Sequence, residues 1–169
     1  MRPNGCQPQY SPPMNLFIVR HAIAEQGEPD AERELTQEGA RKMKRAVQGM
    51  RELGWSFERI LTSPWRRAVA TADLLAPLCD DDPITTELLC EKPRAELLAL
   101  IAETGQTTAV VGHEPWLSEL AAWLAFGDTR HGEAFELKKA GVVWLEGAAV
   151  PGGMKIRAML PPKILRELR

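Results

Sequence analysis

Nowhere in this 169-residue chain does an apolar run approach the roughly 20 residues that a membrane-crossing helix requires, so no membrane partner is expected. Histidine and cysteine are both scarce, at three residues each. The cysteines, Cys6, Cys79 and Cys90, form no C-x-x-C pair and none adjoins a histidine, so the ligand spacing of a zinc site is missing. No metal and no cofactor are therefore expected, and the thiols read as buried or idle residues of a reducing, cytoplasmic setting. Neither sign of charge prevails. Twenty-one basic against 23 acidic residues leave a net charge of −2, with no basic field to recruit nucleic acid. An anion-binding site would have to be local. Residues 1–13 are polar and proline-rich, lack the apolar stretch of a signal peptide, and read as a flexible N-terminal extension.

What is present describes one globular domain. Hydrophobic side chains make up 44% of the chain and charged ones 26%, and a chain of this length buries roughly 70% of the surface it exposes when unfolded. Leu16-Phe17-Ile18-Val19 is a short continuous apolar run, the pattern of a strand covered on both faces. A polar loop follows, and Thr36 reads as the N-cap of a helix whose apolar positions are Met43, Ala46, Val47, Met50 and Leu53, with Gly54 as its stop. Arg59–Thr62 reads as a second strand, with Ser63 as N-cap and Pro64 as first residue of the next helix. A third strand is expected around Ile84–Leu88, a helix from Pro93, a strand at Thr108–Val111 and a helix from Pro115. The last part suggests strands at Ala134–Leu137, Val142–Leu145 and Met154–Met159. Strand–helix alternation of this kind predicts an α/β domain, a mostly parallel sheet with helices on both faces. Its expected limits are residues 14–161, with residues 162–169 as a C-terminal tail.

Three polar clusters follow directly on three apolar strands: Arg20-His21, Ser63-Pro64 with Arg67, and Gly112-His113-Glu114. In an open α/β sheet, ligands bind at the carboxyl ends of the strands, so neighbouring parallel strands would bring the clusters into one pocket. The contents suit an anion. Two arginines supply forked donors that match phosphate oxygens, and a helix N-terminus directs free N–H groups to the same place. Each member has a plainer explanation by itself, a structural strand-end histidine or a solvated helix arginine, but three coincidences at three strand ends are harder to accept than one. His131 lies in a polar loop without a partner and reads as a surface residue. The five tryptophans read as core or rim packing, with Trp65 and Trp116 placed to flank the pocket.

These same segments carry a resemblance. Arg20-His21-Ala22 resembles the R-H-G/A signature of the histidine phosphatase superfamily, which has the phosphoglycerate-mutase-like fold. Ser63-Pro64-Trp65-Arg66-Arg67-Ala68-Val69-Ala70-Thr71-Ala72 is similar to its S-P-x-x-R-A-x-x-T-A segment, and Gly112-His113 to its later G-H motif. Asp30, Arg33, Leu35, Thr36 and Gly39 match the loop and helix start of the short branch. The motifs stand in family order. About 40 residues separate Ala72 from His113, too few for the insertion of the larger members, and this compact form resembles the SixA-type phosphohistidine phosphatases. Lys139-Ala140-Gly141 is similar to that group's late K-x-G stretch.

The resemblance implies a mechanism. His21 would be the nucleophile, forming a transient phosphohistidine; Arg20, Arg67 and His113 would hold the phosphoryl oxygens, with Ser63 as a further substrate contact, and water would release inorganic phosphate. No metal or cofactor is implied. The larger members use a carboxylic acid to protonate the leaving group, and Glu25, Glu28, Asp30, Glu87 and Glu114 are candidates without a decisive signal. A phosphoramidate leaves readily once its nitrogen is protonated, so phosphohistidine in a protein is the expected substrate and that phosphorylated protein the expected partner. A small-metabolite phosphomonoesterase and a non-catalytic phosphate-binding module are the alternatives.

Overall fold

The structure, a computed structural model, describes residues 12–168; Cys6 and residues 1–11 of the expected extension lie outside the described residues. Among these residues six strands build one sheet: β1 (Met14–Arg20), β2 (Arg59–Thr62), β3 (Ile84–Thr85), β4 (Thr107–Gly112), β5 (Val142–Gly147) and β6 (Met154–Leu160). Their spatial order is β3-β2-β4-β1-β5-β6. The four strands from β3 to β1 run parallel, whereas β5 and β6 are antiparallel additions at one side.

Five helices cover the sheet: α1 (Gln37–Glu52), α2 (Arg66–Leu75), α3 (Ala95–Ala102), α4 (Trp116–Phe126) and α5 (Pro162–Glu167). Successive strand side chains point to opposite faces, and the packing follows. Leu16, Ile18, Leu61, Val110, Val143 and Leu145 meet α3 and α4 through Leu97, Ile101, Leu117, Leu120 and Leu124. Phe17, Val19, Ile60, Ala109, Val111 and Val142 meet α1, α2 and α5 through Met43, Met50, Ala72, Leu75 and Leu165. Full burial of one such side chain stabilises by about 1.5–3 kcal/mol, so both faces of each central strand are committed to the core. Trp55 and Trp144 stack about Phe17, at 4.7 and 5.6 Å between ring centroids.

Several boundaries differ from the sequence expectation. Thr36 caps α1 as expected, its hydroxyl accepting from the Gly39 N–H at 2.8 Å. Ser63-Pro64 does not start α2: the helix begins at Arg66 with Trp65 as its N-cap residue, because Ser63 Oγ accepts from the Trp65 N–H at 3.2 Å and closes a turn ahead of the helix. The strand expected at Ile84–Leu88 stops at Thr85, where the Thr86 hydroxyl caps a 3₁₀ turn over Glu87–Leu89. Ala134–Leu137 is not a strand. A 3₁₀ segment over Thr129–Ala134 lies against α4, so close at Gly132 that a Cβ there would stand 2.9 Å from the Glu119 nitrogen. The expected tail contains α5, whose Leu165 is fully buried against α1.

Candidate active site

Register explains why distant motifs meet. Arg20 of β1 lies opposite Gly112 of β4, and Val111 opposite Thr62 of β2. The ladder extends one step further, through His21 N–H to Gly112 O (3.1 Å) and Ser63 N–H to Val111 O (3.0 Å). Three adjacent parallel strands therefore end at one level. The residues after them, His21, Ser63 and His113, are all buried, and the His21 and His113 ring centroids are 5.2 Å apart.

His21 is held as one tautomer. Its Nδ1–H donates to the Ala22 carbonyl at 2.7 Å, leaving Nε2 with a lone pair; Arg67 Nε donates to that atom at 3.2 Å. The other Arg67 nitrogens are anchored, Nη1 on the Asp30 carbonyl at 2.5 Å and Nη2 on the Asp30 carboxylate at 2.9 Å. Asp30 is steadied in turn by Arg33 at 2.7 Å. Thr71, one turn along α2, accepts from the Ala22 N–H at 3.0 Å and donates to the Arg67 carbonyl at 2.7 Å, tying the loop after His21 to the helix that carries the arginine.

His113 sits between aromatic rings, 4.5 Å from Trp65 and 6.3 Å from Trp116, and the Arg67 guanidinium lies 4.8 Å from the Trp65 centroid. Both tryptophans thus flank the cluster. His113 Nε2 meets Ser63 Oγ at 2.8 Å. Ser63, expected as a further substrate contact, has a buried hydroxyl that meets His113, the Cys90 thiol (3.2 Å) and the Trp65 N–H. These contacts make Ser63 a positioning partner of His113. A hydroxyl proton given to Nε2 leaves Nδ1–H as the free donor of that ring. The Arg20 side chain donates from Nη1 to the Leu137 carbonyl at 2.9 Å. That carbonyl is free for it because Leu137 belongs to no strand ladder. Arg20 Nε and His113 Nδ1 are buried and have no partner among the described residues. A buried unpaired donor costs about 1–3 kcal/mol, and an anionic oxygen would satisfy both.

The electrostatics favour neutral histidines. Burial, reinforced by the Arg67 and Arg20 charges, pushes the His21 pKa down to about 4, although its bond to Ala22 opposes the shift. Burial and the neighbouring His21 and Arg67 push His113 down to about 3. Asp30, expected as part of the short-branch loop match and as one of five candidate acids, is held as an anion. Its bonds to Arg33 and then to Arg67 lower its pKa and keep it ionised. Of the other candidates Glu25, Glu28 and Glu87 are exposed, whereas Glu114 is half-buried and its pKa is raised by desolvation. Its Oε1 accepts from the Ser118 N–H at 3.2 Å. The role of Asp30 as the arginine's anchor was missed in the sequence, where a D-x-x-R spacing in a loop does not say which more distant arginine it serves. His131 is exposed, as expected, and no cluster of three or more His, Cys, Asp or Glu that could hold a metal ion occurs among the described residues.

The sequence model of the histidine phosphatase superfamily (branch 1) matches residues 16–97, a span that holds Arg20, His21, Ser63 and Arg67. An uncharacterized protein of Picosynechococcus is 37% identical over 146 residues, covering 80% of this chain and 87% of that protein. The solved structure of the protein histidine phosphatase SixA complexed with tungstate superposes with a TM-score of 0.76 at 23% identity, covering 90% of this chain and 99% of SixA. A phosphoserine phosphatase of Entamoeba histolytica, in complex with 3-phosphoglyceric acid, superposes with a TM-score of 0.67 at 18% identity over 88% of this chain and 97% of its own. The two solved structures share the fold, and the family match over residues 16–97 supplies the rest: the chain belongs to the histidine phosphatase superfamily, a membership that supports phosphatase activity.

Proposed function

We propose that this phosphatase removes the phosphoryl group from phosphohistidine in a protein, by way of a phosphohistidine at His21. The observation that carries the reading is the state of His21: neutral, its proton fixed on Nδ1 by the Ala22 carbonyl, and its Nε2 lone pair facing the Arg67 guanidinium. Nε2 attacks phosphorus while the P–N bond to the substrate imidazole breaks; that ring, already protonated on its other nitrogen, leaves as neutral imidazole with the bonding pair on the departing nitrogen. Water then attacks the phosphorylated His21, returning Nε2 as a lone pair and releasing inorganic phosphate. Charge on the three equatorial oxygens is held by Arg67 Nε–H, Arg20 and His113 Nδ1–H. Preorganised donors of this kind are the principal contribution a protein makes to phosphoryl transfer. No metal or cofactor enters this scheme.

Phosphohistidine is favoured because Asp30, the carboxylate that anchors the arginine touching His21, is held as an anion by two arginines and so has no proton to give. A protonated imidazole is a good leaving group without an acid, and an alkoxide is not. The likeness to SixA accords with this substrate. The raised pKa of Glu114 favours the second reading, a small-metabolite phosphomonoesterase with Glu114 as the acid. The non-catalytic module is disfavoured, since a bare binding site has no need of a neutral histidine held as one tautomer with its Nε2 lone pair turned to an arginine.

The test is phosphate release, with chelator present, from a phosphohistidine-bearing protein and from a panel of metabolite phosphoesters. Preference for the phosphoprotein, abolished in His21→Ala and unaltered in Glu114→Gln, is the expected result. Preference for an ester, with a large drop in kcat for Glu114→Gln, would replace the leading reading by the second. Tight phosphate binding without turnover of either substrate would establish the module.

A further inference from the structure

Beside the nucleophile opens a cavity of about 460 Å³ that the mechanism does not use. Its wall includes Ala22 and Ile23, the two residues after His21, and Ala140, whose N–H bonds both the Arg20 and the His21 carbonyls (3.0 and 3.2 Å). Half of its ten lining residues are cationic and none is acidic: Arg20 from β1, Lys42 from α1, Lys138 and Lys139 from the loop before β5, and Arg166 from α5. The comparable groove between α1 and α2 is balanced, with Glu34 and Asp73 against Lys44 and Arg66. In a chain of net charge −2, five cations from four segments around one hollow are a local concentration of charge. A concave surface of one sign focuses its field towards ligands of the other.

We propose that this cavity docks acidic side chains of the phosphorylated protein substrate, next to the histidine being dephosphorylated. The inference rests on the phosphoprotein reading above and names what that protein presents. The chemistry fits a carboxylate-bearing segment better than a second phosphate of a small molecule. Small dianions are held by a few buried, convergent donors, whereas Lys42, Lys139 and Arg166 are half-exposed and Lys138 is exposed, spread around an open rim. Between them lies an apolar floor of Ala22, Ile23, Ala140 and Pro162 that suits the methylene stems of Asp and Glu. Lys42 pairs with Glu38 and Lys138 with Glu136, both across exposed contacts of little net value that an incoming carboxylate can replace. Lys139 and Arg166 have no ion pair among the described residues. Arg20 touches both regions, so a substrate docked here is already beside the phosphoryl clamp.

The experiment compares phosphohistidine peptides of one length whose flanks carry four Glu or four Gln, with phosphoramidate as a substrate too small to reach the rim. The variant is Lys42→Gln/Lys138→Gln/Arg166→Gln; Arg41→Gln/Arg45→Gln/Arg51→Gln, exposed on α1, removes the same charge elsewhere. A tenfold or greater loss of kcat/KM on the Glu peptide is expected for the groove variant only, mainly through KM and fading as salt is raised. The Gln peptide and phosphoramidate should be unaffected. Equal losses on both peptides, or none, would overturn docking, as would a loss confined to fructose 1,6-bisphosphate relative to fructose 6-phosphate. Inhibition, by the unphosphorylated Glu peptide, of turnover of whichever small substrate is hydrolysed (phosphoramidate or an ester) separates this from the substrate assignment. Inhibition that the groove variant loses supports the groove even if only esters are turned over, and no inhibition of the wild type overturns it whatever the substrate.

Discussion

Arg67 shows how one side chain is given a single geometry. Two of its nitrogens are committed to Asp30 and only Nε faces His21, so the guanidinium is held in one orientation beside that ring. Arg67→Ala should lower kcat by about 10²–10³-fold, the range for loss of one preorganised donor. Arg67→Lys is the sharper comparison. It keeps the charge but loses the planar fork, and kcat should still fall by more than about tenfold; activity close to wild type would mean that charge alone suffices. The sequence disclosed the identity of this residue through its motif. It could not disclose the anchor, because Asp30 and Arg67 are joined across 37 positions by the path of the loop.

At the scale of elements, the site depends on how closely α1, α2 and α5 approach the sheet. The Thr71 hydroxyl stitches α2 to the residue after His21, a physical reason for the threonine of the second motif. On α1, a Cβ added at Gly49 would stand 1.8 Å from the Leu165 carbonyl oxygen. Two effects then compete. Alanine favours a helix interior over glycine by about 1 kcal/mol, but overpacking against backbone costs about 1–3 kcal/mol. The clash should prevail, so Gly49→Ala is expected to lower the unfolding free energy and to displace α5, which carries Arg166; denaturant titration would measure it, and an unchanged or raised midpoint would show that α5 yields freely. Helix and central-strand existence was legible from apolar spacing and caps. Missed were the short or irregular pieces, Glu87–Leu89 and Thr129–Leu137, where a threonine cap and close backbone packing outweigh local strand propensity. Ala140 belongs with them: its left-handed φ of 63° is imposed by the turn that bonds to Arg20 and His21.

For the whole molecule, the two site histidines couple stability to pH. Both fold with pKa values depressed from 6.5, to about 4 and about 3. Between those values and 6.5 the unfolded chain binds more protons than the folded one, so stability rises with pH there and is lost as pH falls from about 6.5 towards 4. Each unit of separation corresponds to about 1.4 kcal/mol. The raised pKa of Glu114 acts in the opposite sense and softens the loss. Thermal denaturation between pH 7 and 4.5 should show a falling midpoint that flattens in His113→Ala, and that a phosphate-like oxyanion restores by mass action. A flat wild-type profile would remove burial of neutral histidines from the account.

By itself the sequence determined the alternation of strands and helices and the superfamily, and it singled out Arg20, His21, Arg67 and His113 as candidates, because apolar period and motif order are local properties written along the chain. The tertiary structure alone decided the tautomer of His21, the anchoring of Arg67 by Asp30, the withdrawal of Ser63 behind His113 and the gathering of five cations around one cavity. Each of these depends on which distant backbone and side-chain atoms come within hydrogen-bonding or Coulombic reach, and that is set only when strand register and helix packing close the chain upon itself.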